Sequence, residues 1–486
     1  MDLPDLVLAF GLVATVLTGT ALASGLVERS PLSFPLIFLA LGLVLGGGGA
    51  GVLEMGAGDP ALEAVATLTL SLVLFLDAVK FQLEELGRRW LVPVLILGPG
   101  TGLIIALGAV PLALWLGFGW VSAFIGAAVL ASTDPVVLRE LVRDERIPRS
   151  VRQILKLEAG TNDIIVLPVI LVLVAVALGE TSGLGGWSVF LAKLLLVGPG
   201  IGFAIGGAGS WLIARIDAVT GVRREYQALY GVGIVLAAFA AGTFAGGDGF
   251  LAAFAAGLAV VLLNQTLCDC FLEFGEILSE MAMLLAFVLF GVVLSGILDT
   301  VSLGPTLGLA ALVVFVLRPA VLGLVLSRAR MSWEAHAFVA WFGPRGLNSL
   351  LLVLLVVNAG VVGSELLLAT VGVVVLVSVT IHGATAIPST AWYGRRALRE
   401  TLMEERESTA AGLFGHKETE VAYVTPSELE EMVAGPSPPV VLDVRSRSSY
   451  ERETSRIPGS VRVPPDQTVD WAADQPKERP IVAYCS

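Results

Sequence analysis

Ionisable side chains are rare inside the apolar stretches of this chain. Those at depth are Asp134, Glu158, Asp163, Arg318 and Arg345, with Asp77, Lys193, Glu276 and Glu280 nearer the ends of such stretches. In a bilayer each costs about 2.5 to 3.5 kcal/mol on insertion scales, so each requires a partner, a water-filled cavity or a task. Asp163, in Asn162-Asp163-Ile164-Ile165-Val166, is a carboxylate in an apolar segment, able to hold a proton or a cation but not both. Its bland alternative is a helix-helix hydrogen bonder. Asp134 precedes Pro135, and proline removes a backbone donor and disfavours helical geometry at the residue before it. A helix break is expected there, as against a simple kink with a hydrogen-bonded aspartate. Broken backbone at membrane depth is tolerated where it lines a cavity, and many transporters build ion sites in this way.

Glu158 and Asn162 are four apart and share one helical face, with Asp163 one step round. Arg318, in Phe315-Val316-Leu317-Arg318-Pro319, needs an anion, and Glu158 matches it in sign and depth. Such a pair neutralises itself without necessarily adding net stability. It would leave Asp163 and Asp134 to an ion. Arg345 lies in Gly343-Pro344-Arg345-Gly346, a second Gly/Pro interruption. Interruptions at comparable places in two halves point to an inverted repeat with its site at the crossing.

The elements that must hold these residues follow from composition. The 486 residues are 56% hydrophobic and 15% charged, and the mean hydropathy of +0.85 excludes an ordinary soluble protein. Apolar runs long enough for a bilayer number thirteen, near 5 to 26, 33 to 50, 61 to 79, 91 to 116, 120 to 140, 154 to 178, 187 to 214, 225 to 245, 249 to 264, 274 to 296, 305 to 327, 335 to 357 and 364 to 390. Arginine and lysine fall in alternate loops, with Lys193 alone on the wrong side, which puts the N-terminus outside and the tail in the cytoplasm. The first run lacks a basic leader and a cleavage site and reads as a span. Gly198, Gly202 and Gly206, four apart, suit close helix packing. Cys268, Cys270 and Cys485 with only three histidines give no metal site or disulfide framework.

With these residues in place, the chain resembles the cation/proton antiporters of the sodium/proton exchanger superfamily over roughly residues 1 to 390. The resemblance rests on Thr133-Asp134-Pro135, on Asn162-Asp163 preceded by Glu158, on Gly247 to Leu258, on Arg318 and on Gly343-Pro344-Arg345-Gly346. It implies thirteen transmembrane helices in two inverted repeats with two broken crossing helices. Spans 4 to 6 and 11 to 13 would form a mobile core, and the rest a homodimer scaffold. It further implies that Asp163 takes cation and proton in turn, with Asp134, Asn162 and the Thr133 backbone around the ion, and that Glu158 and Arg318 form a structural pair. An Asn-Asp pair resembles the electroneutral branch, so exchange of Na+, or of Li+ or K+, for H+ would be one for one. No enzyme activity, cofactor, nucleic acid or resident metal is implied. Asp77 is either a further site carboxylate or an interfacial partner for Lys80, and Arg345 is a possible lining residue. Ala159 stands where some relatives offer the ion a serine hydroxyl, and Pro344 alters the usual glycine-hydrophobic-arginine-glycine turn.

From Arg399 onward the chain is polar, with 16 acidic and 10 basic residues, which is half the net charge of minus 12. The division expected is a transmembrane domain over 1–392, a cytoplasmic linker with a helix-like acidic stretch over 393–420, and a small α/β domain over 421–486. Val440 to Arg445 and Pro480 to Cys485 read as strands. With Glu451 and Arg456 to Ser460 this region resembles a rhodanese-like domain, whose cysteine after the second strand carries a persulfide. Cys485 stands there, and one residue follows it, so the tail is either a truncated product or a binding or regulatory remnant. The rivals to an antiporter are a cation channel, against which no charge ring or carbonyl-filter sequence is present, and a tail-centred sulfurtransferase or sensor on a membrane anchor. Compact loops suit a prokaryotic plasma membrane.

Overall fold

The computed structural model describes residues 11–12, 14–22, 25, 33–80, 91–144, 146–329, 331–400, 424–435, 438–453, 455–473, 475 and 480–484. Part of the first expected span, most of the stretch over 393–420 and Cys485 therefore lie outside the described residues. The rest forms a mostly helical, membrane-type fold. Eight helices among the described residues have the length and composition to cross a bilayer, among them Pro60–Val79, Arg149–Leu178, Gly183–Thr220 and Phe274–Thr300. Four shorter apolar helices, Phe34–Leu45, Trp120–Ala131, Gly249–Leu263 and Leu347–Asn358, accompany them.

Local chemistry sets many of the starts. Asp59 accepts the Ala61 amide at 2.8 Å ahead of Pro60, Asp248 accepts the Leu251 amide at 2.8 Å, and Asn264 accepts the Leu267 amide at 3.0 Å. Three wide, π-helical turns, Ile96–Gly100, Lys193–Val197 and Leu312–Leu317, contain or directly precede a stretch with proline (Pro99, Pro199, Pro319). Proline has no amide to return to the preceding turn, and the ladder there loosens by one residue. The third of these turns delivers Arg318.

Two apolar stretches break as their prolines lead one to expect. The helix Trp120–Ala131 stops, residues 132–134 are irregular, and a helix restarts at Pro135–Arg143. The helix Trp333–Trp341 stops, residues 342–346 are irregular, and Leu347–Asn358 follows. Elsewhere glycine does the packing: a methyl at Gly202 or Gly206 would strike the backbone of Ala252 or Ala256, so the Gly198–Thr220 and Gly249–Leu263 helices meet backbone to backbone.

The described chain divides into two compact units. The larger holds residues 1–139, 156–327 and 340–385, with a core that includes Phe287, Phe290, Leu350 and Val371. The smaller holds 140–155, 328–339 and 386–486. Its sheet consists of β1 (Val440–Asp443), β2 (Val461–Arg462) and β3 (Ile481–Tyr484), all parallel, in the order β2-β1-β3. Leu442 sits opposite Val461 on one side and Ala483 on the other. Leu442, Val444 and Val463 form a small core against Val440 and Trp471. Beside it Arg445 forks onto Asp443, with Nη2 at 2.6 Å and Nε at 2.9 Å, and Tyr484 donates to the same carboxylate at 2.8 Å. Burial works against the Asp443 charge, but these hydrogen bonds hold its carboxyl below the usual carboxylate range. Arg447 pairs with Asp466 at 2.9 Å, and Asp466 also accepts the amide of Arg149, the first residue of the Arg149–Leu178 helix, at 2.8 Å.

Candidate functional site

Every helix break leaves amides without acceptors on one side and carbonyls without donors on the other. In the larger unit the two breaks settle these groups against each other. The Asp134 amide donates to the Pro344 carbonyl at 2.8 Å. Its carboxylate accepts the Val136 amide at 2.7 Å through Oδ1 and the Leu347 amide at 2.7 Å through Oδ2. One side chain thus caps the restart of both helices, at the ends where helix dipoles favour negative charge. The carbonyls take the opposite sign. Arg345 Nη1 donates to Ala131 O at 2.6 Å and Ser132 O at 2.8 Å, where the first helix stops. Where the second stops, Arg318 Nη2 donates to Phe342 O at 3.0 Å, and His382 Nε2 lies 3.1 Å from Trp341 O. Ser378 Oγ, beside His382, accepts the Arg345 amide at 2.8 Å.

This contact between the breaks needs backbones without side chains at two points. A methyl on Gly346 would fall on the Asp134 carboxylate, and one on Gly343 on the Arg318 guanidinium. Arg318 itself forks onto Glu158, with Nη1 to Oε1 at 2.5 Å and Nη2 to Oε2 at 2.9 Å, both side chains nearly inaccessible. The bidentate form fits the planar geometry of guanidinium and carboxylate.

Asp163, 1% exposed, projects from the Arg149–Leu178 helix toward the two breaks. Ser132 Oγ donates to its Oδ1 at 2.5 Å, and the Asn348 amide nitrogen donates to its Oδ2. The two donors come from the two breaks. Asn162 faces the first break as well, donating to Ala131 O at 2.7 Å and to Thr133 Oγ1 at 3.4 Å, and its own oxygen accepts from Thr101 at 3.4 Å. Asp77 lies against the Gly160 turn of the Asp163 helix and is within electrostatic reach of both Asp163 and Asp134. Its Oδ2 is buried and accepts no hydrogen bond from a described residue. Lys80 forms an ion pair with Glu276, at 2.7 Å, and is also within electrostatic reach of Asp77.

The residues singled out from the sequence, Asp163, Asp134, Asn162, Thr133, Glu158, Arg318, Arg345 and Asp77, are thus brought to one place. Their work is divided differently from the sequence reading: Asp134 and Arg345 hydrogen-bond to broken backbone, Asn162 divides its bonds between the Ala131 carbonyl and the hydroxyls of Thr133 and Thr101, and Asp163 has side-chain partners among the described residues. Sequence reasoning did not single out Ser132, Asn348, Ser378 or His382. The available signal was polarity beside a break, since Asn348 and Ser349 open an otherwise apolar run. Ala159 is buried and offers no hydroxyl, and the one on Asp163 comes from Ser132.

The K+/H+ antiporter NhaP of Alkalimonas amylolytica is 27% identical over 365 residues, which is 74% of this chain and 62% of that protein, so the chain spans under two thirds of its relative's length. The low-affinity Na+/H+ antiporter NhaS1 of Synechocystis is 30% identical over 158 residues, covering 32% of this chain and 30% of that one. The fold matches the structure of the sodium proton antiporter MjNhaP1 from Methanocaldococcus jannaschii at pH 8, with a TM-score of 0.65 and 19% identity, covering 80% of this chain and 98% of that one. The rhodanese-like domain model matches residues 425–486, and the model described as sodium/hydrogen exchanger, transmembrane, matches residues 13–392. A multi-pass chain matched over that length belongs to the sodium/hydrogen exchanger family, with a rhodanese-like domain at its C-terminal end.

Proposed function

We propose that this chain is a secondary antiporter that exchanges a monovalent cation for H+ across the membrane, with Asp163 as the group for which both compete. The observation that carries the reading is the placement of a buried carboxylate, held only by the Ser132 and Asn348 side chains, where two broken helices cross. Discontinuous helices with their site at the crossing are the construction used by many secondary transporters. One carboxylate that holds either ion but not both couples opposite fluxes without a separate gate for each. Exchange is then one for one, and it falls at low pH, where Asp163 keeps its proton, and at high pH, where protons are scarce.

Na+ is the cation we assign first, with Li+ and K+ as alternatives; the relatives' names divide between K+ and Na+. Asp134, Asn162 and the Thr133 backbone shape the site, Asp77 is a further carboxylate of the same cavity, and Glu158 with Arg318 is a self-neutralised scaffold. The assembly is a homodimer of thirteen-span protomers built as two inverted repeats. Residues 1–392 form the transport domain, 393–420 a linker and 421–486 the rhodanese-like domain. The N-terminus is outside and the tail in the cytoplasm of a plasma membrane, where such exchange serves pH homeostasis. The test is proton movement in vesicles driven by Na+, by K+ and by no added cation. Proton flux that follows an imposed voltage without any counter-cation would mark a channel and sink the reading.

A further inference from the structure

Asn348 stands in the first turn of the Leu347–Asn358 helix. Its side chain is 1% exposed, and its amide nitrogen is committed to Asp163. Its oxygen is buried and accepts a hydrogen bond from no described residue. A carbamoyl oxygen has two lone pairs, and leaving it unmatched in an apolar interior costs about 1 to 3 kcal/mol. A buried polar atom of this kind in a native structure calls for a partner such as an ion. The surrounding helix gives no packing reason for an amide. Leu347, Leu350, Leu351, Leu352, Val353 and Leu354 are all buried apolar neighbours on the same element, and a leucine at 348 would avoid the penalty.

The position fits an ion ligand. The preceding residue, Leu347, gives its amide to Asp134, and Ser349 donates to Val129 O at 3.0 Å, so the helix start is fixed to the first break on either side of Asn348. The carbamoyl group is thereby held beside the carboxylate that the proposed function makes the ion site. A cation stripped of its water needs several oxygens, and neutral oxygens complete a shell around one carboxylate without adding a charge that would have to be neutralised in the proton-bound state.

We infer that Asn348 is a cation ligand, its side-chain oxygen coordinating the ion beside Asp163 while its nitrogen orients that carboxylate. The inference rests on the antiporter reading. It makes the second broken helix a direct contributor to ion choice, since the number and field strength of neutral oxygens help decide which alkali ion is held.

The experiment uses the full chain in proteoliposomes, with proton flux driven by Na+, K+ or Li+, for wild type, Asn348→Leu, Asn348→Ser and Asp163→Asn. Losing a ligand or a hydrogen bond to a ligating carboxylate costs about 10- to 100-fold in affinity, so Asn348→Leu is expected to raise the cation KM by that factor. The ratios of KM among the three cations change with it. Asn348→Ser, which keeps one neutral oxygen, retains exchange with altered ratios. A purely orienting amide would shift all three cations by one factor, and that result, or unchanged KM values, overturns the inference. Should Asn348→Leu fail to reach the membrane, the KM ratios of Asn348→Ser decide by the same criterion. Failure of the underlying reading is separate: it shows as a wild type without cation-driven flux, or as Asp163→Asn with undiminished flux, and the Asn348 inference then falls with it.

Discussion

At the first break the chain uses residues 132–134 and no glycine, whereas at the second it uses residues 342–346 with glycine at both ends of the Pro344-Arg345 turn. The first contributes a carboxylate, Asp134, that collects amides from both helix restarts. The second contributes a guanidinium, Arg345, that collects the carbonyls where the first helix stops. Each break is finished by the other's side chain. At the second break the Pro344 carbonyl takes the Asp134 amide, while the Phe342 carbonyl falls to Arg318, itself held by Glu158, and the Trp341 carbonyl to His382. The difference teaches that the two breaks are not equal halves: the carbonyls that end the first helix are met by a residue of the other break, whereas those that end the second helix draw on Arg318 and His382 from further elements.

Ways to test that contrast follow from its largest consequence downward. Asp163→Asn is expected to abolish cation-driven proton flux while the protein still elutes as a folded species by size-exclusion chromatography. Asp134→Asn retains oxygen for one cap and is expected to reduce exchange and stability together. Removing one member of the Glu158–Arg318 pair leaves a buried charge uncompensated and is expected to cost about 3 to 5 kcal/mol. Paired replacement, Glu158→Gln with Arg318→Met, is expected to recover much of the thermal stability that either single variant loses. Gly346→Ala pushes a methyl onto Asp134 and is expected to cost about 1 to 3 kcal/mol, whereas an alanine at the exposed, unhindered Gly200 is expected to leave the melting temperature unchanged. The smallest effect lies in the tail. Asp443 is held below its usual value by Arg445 and Tyr484, so its stabilising contribution is full above about pH 4 and is lost as the pH falls further. Hydrogen exchange across Val440 to Tyr484 during acid titration is expected to show that region loosening below pH 4, and Asp443→Asn is expected to remove the acid dependence.

Much of this was legible in the sequence where chemistry is local. Proline after Asp134 and within Gly343 to Gly346 announced both breaks, and the scarcity of deep charges left Arg318 with Glu158 as its natural partner. What could not be read was the pairing of groups far apart in the chain. Asn348 meets Asp163 across 185 residues, and nothing near either one specifies the other. Lys80 and Asp77 are three apart, and nothing near Lys80 in the chain announces that Glu276, from another helix, would also reach its ammonium. Helix ends also ran past their expected limits, to Arg149 and to Arg399, because a helix continues on polar residues beyond the apolar stretch that reveals it. In the tail, β1 and β3 stood out as β-branched runs, and β2, formed by Val461–Arg462, was too short to do so.

The separation between Glu158 and Arg318 has a consequence for how the protein is made. These partners lie 160 residues apart, and a ribosome adding about 5 to 20 residues per second delivers the second roughly ten to thirty seconds after the first. Throughout that interval Glu158 lacks its guanidinium, and Asp134 holds one of its two caps. The first half of the molecule is therefore an unfinished product until the second arrives, and the insertion machinery, rather than the finished fold, must shelter its buried polar groups in the meantime.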